Sequence, residues 1–324
     1  MKLHENIELY NDVIVATAQM IGLPEIYVEK DYWVTVALHT IFTSEVGLNA
    51  VFKGGTALSK CFSVIDRFSE DIDIVLLKED IESGNLLKTR LKKISETVAA
   101  ILPEIDVASI TKKFGMIRKT AHTYQHHFSG QFGQIRDIII LETTWLRSYE
   151  HYTTAMVSSF VVDKMSATSQ STLVEEYDLQ PFQVNILSRE RTLCEKIMSL
   201  VRFSFTPDSI ADLNNKVRHI YGIHKLLSME YVRAFLDSTD FESMLLKVSA
   251  DDIISFKNNN EWLANHTSTA ILFSDAENTW KQIKNTYFTT FAELVYGELP
   301  TEAEILRSID EVDKRLKDIN WLIA

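Results

Sequence analysis

One segment in the first quarter of the chain constrains the fold more strongly than any other. A short apolar run, residues 49–52, ends at Gly54-Gly55, and the residues that follow have the pattern of a short helix with Thr56 as its predicted cap. Residues 71–76 first alternate polar and apolar side chains and then become wholly apolar, which is typical of a strand that leaves an exposed rim for a buried sheet. The order strand, glycine turn, helix, strand predicts a sheet with helices packed on it.

The rest of the chain divides into a mixed region and a helical region. Apolar residues recur at helical spacing over residues 4–44, with a break at Gly22, and again over residues 79–101. Residues 105–146 are rich in β-branched and aromatic residues and predict two or three further strands of the same sheet. From about residue 172 the periodicity is mainly helical. We therefore predict an α/β (α+β) fold with a mixed sheet, followed by a mainly helical C-terminal domain that completes an active-site cleft, with the domains at residues 1–175 and 176–324.

Charge and composition limit the classes of function. The chain of 324 residues has 33 basic and 45 acidic residues, a formal net charge of −12, which argues against a protein that coats DNA or RNA through a general basic surface. No stretch approaches the roughly 20 apolar residues that a membrane span needs, so no membrane partner is expected. The two cysteines are too few for a disulfide framework, which favours a reducing compartment. We expect a cytoplasmic protein.

The residues that carry chemistry lie in the same segment as the glycine turn. Gly54 and Gly55 allow backbone N–H groups to approach an anion closely, and the N-terminus of the following helix would add its positive dipole end, so this turn is a candidate phosphate site. Asp71 and Asp73, at positions i and i+2 of a strand, project from one face and suit a hard divalent cation. Together the two motifs predict metal-dependent phosphoryl or nucleotidyl transfer.

The ordered combination resembles a known superfamily, the DNA polymerase β-like nucleotidyltransferases. Within it, the chain is similar to the AbiEii family, the toxins of abortive-infection, type IV toxin–antitoxin systems. The first two motifs of that family read close to Gly-Gly-Thr-x-Leu-Ser and Arg-x-Ser-Glu-Asp-Ile-Asp. The resemblance covers roughly the first two thirds of the chain and rests on four stretches: Gly54 to Ser59, Arg67 to Asp73, Glu29 to Val34 upstream, and Arg191 to Ile197 downstream.

The resemblance implies a role for each matching residue. Asp71 and Asp73 would bind Mg²⁺ or Mn²⁺, and Lys196, in the third motif, would neutralise phosphate charge during transfer. A third carboxylate often comes from a neighbouring strand, and Glu142 is the candidate because it follows the apolar run of residues 138–141. Asp137, at the other end of that run, is the alternative. The triphosphate of a bound nucleotide would be held by Gly54, Gly55, Thr56 and Ser59 together with Lys196.

The fourth motif differs from the family pattern. The stretch Arg218-His219-Ile220-Tyr221 is followed by Gly222, where the family usually has an aspartate. The resemblance therefore implies either a nucleotidyltransferase that moves a nucleoside monophosphate from a nucleoside triphosphate to an acceptor hydroxyl, or a catalytically weakened nucleotide-binding protein that acts through a partner. A protein kinase-like phosphotransferase is a third possibility. For a transferase, the acceptor would be a tRNA 3′ end or a protein, the role that of a toxin in phage defence, and a further partner the cognate antitoxin.

Three histidines lie close together in the sequence at positions 122, 126 and 127. Their spacing matches no standard zinc pattern and no cysteine accompanies them. We interpret them as surface histidines of a strand.

Overall fold

The chain forms two compact units. The first unit contains residues 1–63 and 67–187, and the second contains residues 64–66 and 188–324. The structure, a computed structural model, describes residues 1–77, 83–108, 110–114, 117–130, 135–145, 152–168, 170–255 and 260–321. The predicted division at residues 175 and 176 stays a prediction.

The first unit is built on one mixed sheet. In its described residues the strands are β1 (Ala50–Lys53), β2 (Ile72–Leu76), β3 (Glu104–Ile105), β4 (Lys112–Phe114), β5 (Ile117–His122), β6 (Ile139–Trp145), β7 (Tyr152–Val157) and β8 (Phe182–Leu187). Their order across the sheet is β3-β5-β6-β2-β1-β8-β7, and β4 pairs with β5. The central pair β2 and β6 is parallel, whereas β1 and β2 are antiparallel. The mixed sheet was predicted, and the structure confirms it.

One helix of the first unit is buried on nearly all sides. The helices of this unit are α1 (Ile7–Ile21), α2 (Glu25–Phe42), α3 (Gly54–Lys60), α4 (Gly84–Ala99), α5 (Phe160–Ala167) and α6 (Ser171–Glu176). Every residue of α2 from Ile26 to Leu38 is buried, including the three consecutive charged residues Glu29, Lys30 and Asp31. Because an isolated buried charge is very costly, each of these residues needs polar partners inside the unit.

The second unit is helical, as predicted. Its α-helices are α7 (Arg189–Ser204), α8 (Ser209–Asn214), α9 (Val217–Leu227), α10 (Glu230–Leu236), α11 (Thr239–Ser255), α12 (Ile271–Ser274), α13 (Ala276–Phe288) and α14 (Glu302–Lys317). Helix α14 begins at a capping box, in which the Thr301 hydroxyl accepts from the backbone N–H of Glu304 and the Glu304 carboxylate accepts from the N–H of Thr301. None of the described helices of either unit is long and apolar enough to cross a membrane.

Three details of the predicted elements are wrong. The region from 105 to 146 was predicted to hold two or three strands, but four strands have residues in it. Strands β3 and β4 are only two and three residues long, which is too short for a clear alternating pattern. The helical pattern predicted from residue 172 onward overlooks β8, a six-residue strand that pairs with β1 and β7. Helix α3 begins at Gly54 rather than after Thr56, so Thr56 is not its cap. The start of the helix predicted over 79–101 lies partly outside the described residues.

The carboxyl group of Glu29 is buried with only part of its hydrogen-bonding capacity used. The backbone N–H of His127 donates to Oε1 at 2.8 Å. The other oxygen, Oε2, is buried and has no hydrogen-bond partner in the part of the first unit that the structure describes. Burial raises the pKa of Glu29 to about 7, although the backbone hydrogen bonds from His127 and Phe128 act in the opposite direction.

We expect Glu29→Gln to stabilise the protein at pH 8. The folded protein holds this proton up to about pH 7, whereas the unfolded chain releases it near the ordinary value of 4.5, so the stability of the wild type falls as pH rises from 4.5 through 7. The amide cannot ionise and can still accept from His127. Urea unfolding should show a gain of up to about 3 kcal/mol at pH 8 and little gain below pH 5. Glu8→Gln, at an exposed position of α1, is the control, and an equal pH dependence in both variants would contradict the assignment.

Candidate active site

The glycine turn lies directly against the second motif. Gly54 has a φ of +83°, and a Cβ atom at this position would lie 2.3 Å from Oδ2 of Asp73. A Cβ on Gly55 would lie 2.7 Å from the Arg67 guanidinium and 3.2 Å from the Ser69 hydroxyl. Only glycine combines the left-handed backbone at position 54 with this close approach. The turn and Asp73 therefore form one packed structure.

Thr56 connects the two motifs. Its side chain is buried, and its hydroxyl donates to the backbone carbonyl of Asp71 at 2.6 Å and lies 3.0 Å from the Ser69 hydroxyl. These bonds fix the backbone that leads into β2. Ser59, one turn further along α3, is partly exposed. The hydroxyl of Thr56 thus acts within the protein, and contact of Thr56 or Ser59 with a nucleotide stays a prediction.

A row of charged side chains crosses the centre of the sheet. Asp73 on β2 pairs in register with Glu142 on the parallel strand β6. On the other side of Asp73, its partner on β1 is Lys53, and on the other side of Glu142 its partner on β5 is Lys119. The Lys119 ammonium binds Glu142 Oε2 at 3.1 Å. Register partners project from the same face of a sheet. The row therefore reads, strand by strand, Lys53, Asp73, Glu142, Lys119.

Two carboxylates lie side by side in the middle of this row. Partial burial and the neighbouring carboxylates of Glu142 and Asp71 raise the pKa of Asp73, and the ammonium groups of Lys53 and Lys119 only partly offset this effect. Neighbouring carboxylates disfavour each other's ionised form. A cation bound between these groups would remove the repulsion. Asp137, the alternative third carboxylate, is exposed and lies two residues before β6.

The carboxylates of Asp73 and Glu142 suit a cation that takes only some of its ligands from the protein and the others from a substrate. Across the described ranges, no group of three or more His, Cys, Asp or Glu side chains is positioned to hold a metal ion. Mg²⁺ is commonly bound by one or two carboxylates together with substrate phosphates and water, rather than by a complete protein cage. Carboxylate oxygens that repel one another, with a glycine turn packed against Asp73, match this mode of binding.

Lys196 lies in the second unit, on α7, packed against α9. Its side chain is buried, and a Cβ atom on Gly222 would lie 2.9 Å from Cε and 3.2 Å from Nζ of Lys196. The lysine stem therefore occupies the space beside α9 that a side chain at position 222 would need. The unusual glycine of the fourth motif has a structural consequence, because it leaves room for this conformation of Lys196.

Gly222→Ala separates helix stability from the placement of Lys196. Alanine favours a helix interior by about 1 kcal/mol over glycine, and the flexible end of the lysine can move to admit the methyl group. We expect thermal stability to hold or rise, whereas nucleotidyl transfer falls about tenfold because the ammonium is displaced. Gly84→Ala, at the first residue of α4 where a Cβ meets nothing within 4 Å, is the control. Unchanged transfer in Gly222→Ala would show that the position of Lys196 is unimportant.

The three histidines differ in exposure: His126 is exposed, as predicted, and His127 is partly exposed, but His122 is not at the surface. His122 is fully buried on β5, where its ring nitrogens lie 2.9 Å from the Thr120 hydroxyl and 2.9 Å from the Leu102 carbonyl. The prediction of surface histidines is therefore wrong for His122, because its strand lies inside the sheet. Both nitrogens serve internal hydrogen bonds.

Sequence reasoning overlooked Lys53 and did not pair Lys119 with a carboxylate. Lys53 comes directly before Gly54, and Lys119 is one of several basic residues on β4 and β5, which the sequence indicates only as a group that could face a nucleic-acid backbone or a triphosphate. Strand register, which the sequence does not state, aligns Lys53 with Asp73 and Lys119 with Glu142.

Comparison with known proteins gives the family, one of nucleotidyltransferase toxins. Residues 37–314 match the family model described as nucleotidyl transferase AbiEii toxin, type IV toxin–antitoxin system. The chain belongs to this family, and the match extends well beyond the first two thirds of the sequence that carry the motif resemblance. One solved structure that is similar is MenT4, a nucleotidyltransferase toxin from Mycobacterium tuberculosis H37Rv, with 12% identity and a TM-score of 0.47 over 92% of this chain and 98% of that one. No curated protein matches the chain.

Proposed function

We propose that this toxin transfers a nucleoside monophosphate from a nucleoside triphosphate to an acceptor hydroxyl with the help of Mg²⁺ or Mn²⁺. The acceptor oxygen forms a bond to the α-phosphorus. The bond from that phosphorus to the oxygen of the β-phosphate breaks, and pyrophosphate leaves with the electron pair. The proton of the hydroxyl passes to the acidic cluster. Gly54, Gly55, Thr56 and Ser59 bind the triphosphate, and Lys196 balances its charge.

The paired carboxylates on β2 and β6 are the observation that carries this proposal. Asp73 and Glu142 are register partners on parallel strands, and Asp71 comes immediately before β2. Mutual repulsion at such a site is unfavourable unless a cation or proton compensates it. Asp71, Asp73 and Glu142 would hold the cation, which would supply charge neutralisation at the phosphates and orient them. The backbone of Gly54 packs against Asp73, which would bring a triphosphate on the turn close to that cation.

The acceptor and the partner follow from the class of toxin. We propose a tRNA 3′ end or a protein side chain as acceptor, both of which offer a hydroxyl, and a cognate antitoxin as partner. The net charge of −12 favours selective contact with an acceptor end over general coating of nucleic acid. In this account the toxin functions in phage defence inside the cytoplasm.

Labelled nucleotides test the reaction and the acceptor in one experiment. The protein is incubated with each nucleoside triphosphate, labelled in turn at the α- or γ-phosphate, with Mg²⁺ and total cell RNA and protein. We expect label from the α-phosphate alone to become attached to a macromolecule, and digestion with nuclease or protease then identifies which class carries it. Label transferred only from the γ-phosphate would indicate a phosphotransferase and contradict the proposal.

Gly222 favours one alternative, a nucleotide-binding protein of weakened activity. The variant Gly222→Asp restores the carboxylate that the family usually has at this position. A large gain in transfer from the α-labelled nucleotide would support the alternative. Transfer equal to that of the wild type, or lowered no more than in Gly222→Ala, would support an enzyme that works with Gly222.

A further inference from the structure

The buried ammonium of Lys30 joins two segments that are far apart in sequence. Lys30 lies on α2 with a fully buried side chain, and it forms an ion pair with the buried carboxylate of Glu70. The same ammonium donates a hydrogen bond to the backbone carbonyl of Arg136. The backbone N–H of Arg136 in turn donates to the other oxygen of Glu70 at 3.4 Å. Lys30, the Glu70 carboxylate and the backbone of Arg136 thus form a closed ring of polar contacts.

These two segments lead into the two strands that carry the carboxylates. Glu70 comes immediately before Asp71 and two residues before the start of β2. Arg136 lies three residues before the start of β6, the strand that carries Glu142. Since β2 and β6 are parallel neighbours, their starting segments lie at the same edge of the sheet. Lys30 therefore contacts the two segments that lead into these strands, at the same end of both.

We propose that Lys30 is a positioning residue that holds Asp71, Asp73 and Glu142 in the relative arrangement that binds the catalytic cation. It acts through Glu70 and the backbone of Arg136 and touches neither nucleotide nor cation. The inference rests on the proposed function, because it concerns the same acidic cluster.

The energetics favour a role in positioning over one in stability. Removing two charges from water costs several kcal/mol per ion, and a well-packed apolar pair of similar volume is often as stable as a buried ion pair. Apolar residues at positions 30 and 70 could therefore stabilise the packing of α2 as well as the ion pair does. An ammonium differs from an apolar side chain in its directed bonds, here to Glu70 and to the carbonyl of Arg136. Such bonds resist displacement of two carboxylate-bearing strands that otherwise repel each other.

The test compares Lys30→Met with a matched change at the neighbouring position of α2. Asp31 is equally buried and forms an ion pair with Lys60 at 2.6 Å, but its partners lie on α3 and α5. Asp31→Asn is therefore the control for loss of stability. Binding of Mn²⁺ is measured by electron paramagnetic resonance in the presence of a nucleoside triphosphate with a non-cleavable α,β-methylene bridge. Thermal unfolding of each variant verifies that it is folded at the temperature used.

We expect Lys30→Met to weaken Mn²⁺ binding by about 10- to 100-fold, the effect typical of lost supporting contacts around metal ligands, and to lower kcat similarly. KM for the nucleotide should change much less. Asp31→Asn should bind Mn²⁺ as the wild type does. If Lys30→Met does not fold, the double variant Lys30→Met with Glu70→Gln removes both charges of the ion pair. Its affinity for Mn²⁺ should also be lower than that of the wild type, because the hydrogen bond from Lys30 to Arg136 is lost.

The outcomes separate this inference from the proposed function. Asp71→Asn with Asp73→Asn should abolish Mn²⁺ binding at the site, and wild-type binding in that variant would contradict the proposed function itself. If this double variant loses Mn²⁺ while the folded Lys30 variants bind it as tightly as Asp31→Asn does, the proposed function stands and the positioning role of Lys30 is wrong.

Discussion

Asp71→Asn combined with Asp73→Asn is expected to lower nucleotidyl transfer by about 10³-fold or more. A site without these two carboxylates no longer holds the cation, and it loses several kcal/mol of charge stabilisation in the transition state. The same change should leave the protein as stable as the wild type or more stable. Asp73 is partly buried beside Glu142 and Asp71, and this raises its pKa, so its charge is unfavourable to the folded state without a cation. Activity should fall while the unfolding temperature holds or rises.

Transfer of α-labelled nucleotide and thermal unfolding measure the two effects on the same samples. Asp106→Asn, at an exposed position after β3, removes a carboxylate without touching the sheet centre and should match the wild type in both measurements. Transfer that survives in the double variant would contradict the assignment of Asp71 and Asp73. A parallel loss of stability and activity would indicate a structural role.

Gly54→Ala is expected to have the second largest effect, a loss of transfer of about 100-fold. The new methyl group would lie 2.3 Å from Oδ2 of Asp73, so either the turn or the carboxylate must move. An L-residue at a φ of +83° also costs roughly 1–2 kcal/mol. The displacement acts on both proposed parts of the site at once, the phosphate turn and the metal ligand.

Gly22→Ala is the matched control for the backbone cost. Gly22 ends α1 with a φ of +72°, and a Cβ there meets nothing within 4 Å. Both alanine variants should therefore lose stability by roughly 1–2 kcal/mol in urea unfolding, but only Gly54→Ala should lose transfer. Equal transfer in the two variants would show that close packing of Gly54 on Asp73 does not matter to the reaction.

Local patterns in the sequence were sufficient for the central elements of the fold. The run into Gly54 and the alternation at Asp71 and Asp73 predict β1, the turn and β2, because each pattern is complete within a few residues. The apolar run before Glu142 likewise predicts β6, but Glu142 lies within this strand rather than at its end, because β6 continues to Trp145. The helical second unit follows from periodicity sustained over many residues.

The remaining features depend on contacts between residues distant in sequence. Strand β8 is only six residues long and lies between helical stretches, so its pairing with β1 has no local signal. The register that aligns Lys53 and Lys119 with the carboxylates is set by strand pairing across the sheet. Lys30 has the sequence context of an ordinary helix charge, and only the packing of α2 inside the unit explains its partners. Thr56 resembles a cap until its bond to the Asp71 carbonyl is known.

Anomalous diffraction from crystals grown with Mn²⁺ and a non-cleavable nucleoside triphosphate analogue tests whether Asp71 and Asp73 bind the cation. We predict an anomalous peak within coordination distance, about 2.0–2.3 Å, of carboxylate oxygens of Asp71 and Asp73, with phosphate oxygens of the analogue completing the ligands. The triphosphate should lie along Gly54 and Gly55. A nucleotide bound elsewhere, or a Mn²⁺ ion with no ligand from these two aspartates, would contradict this assignment of the active site.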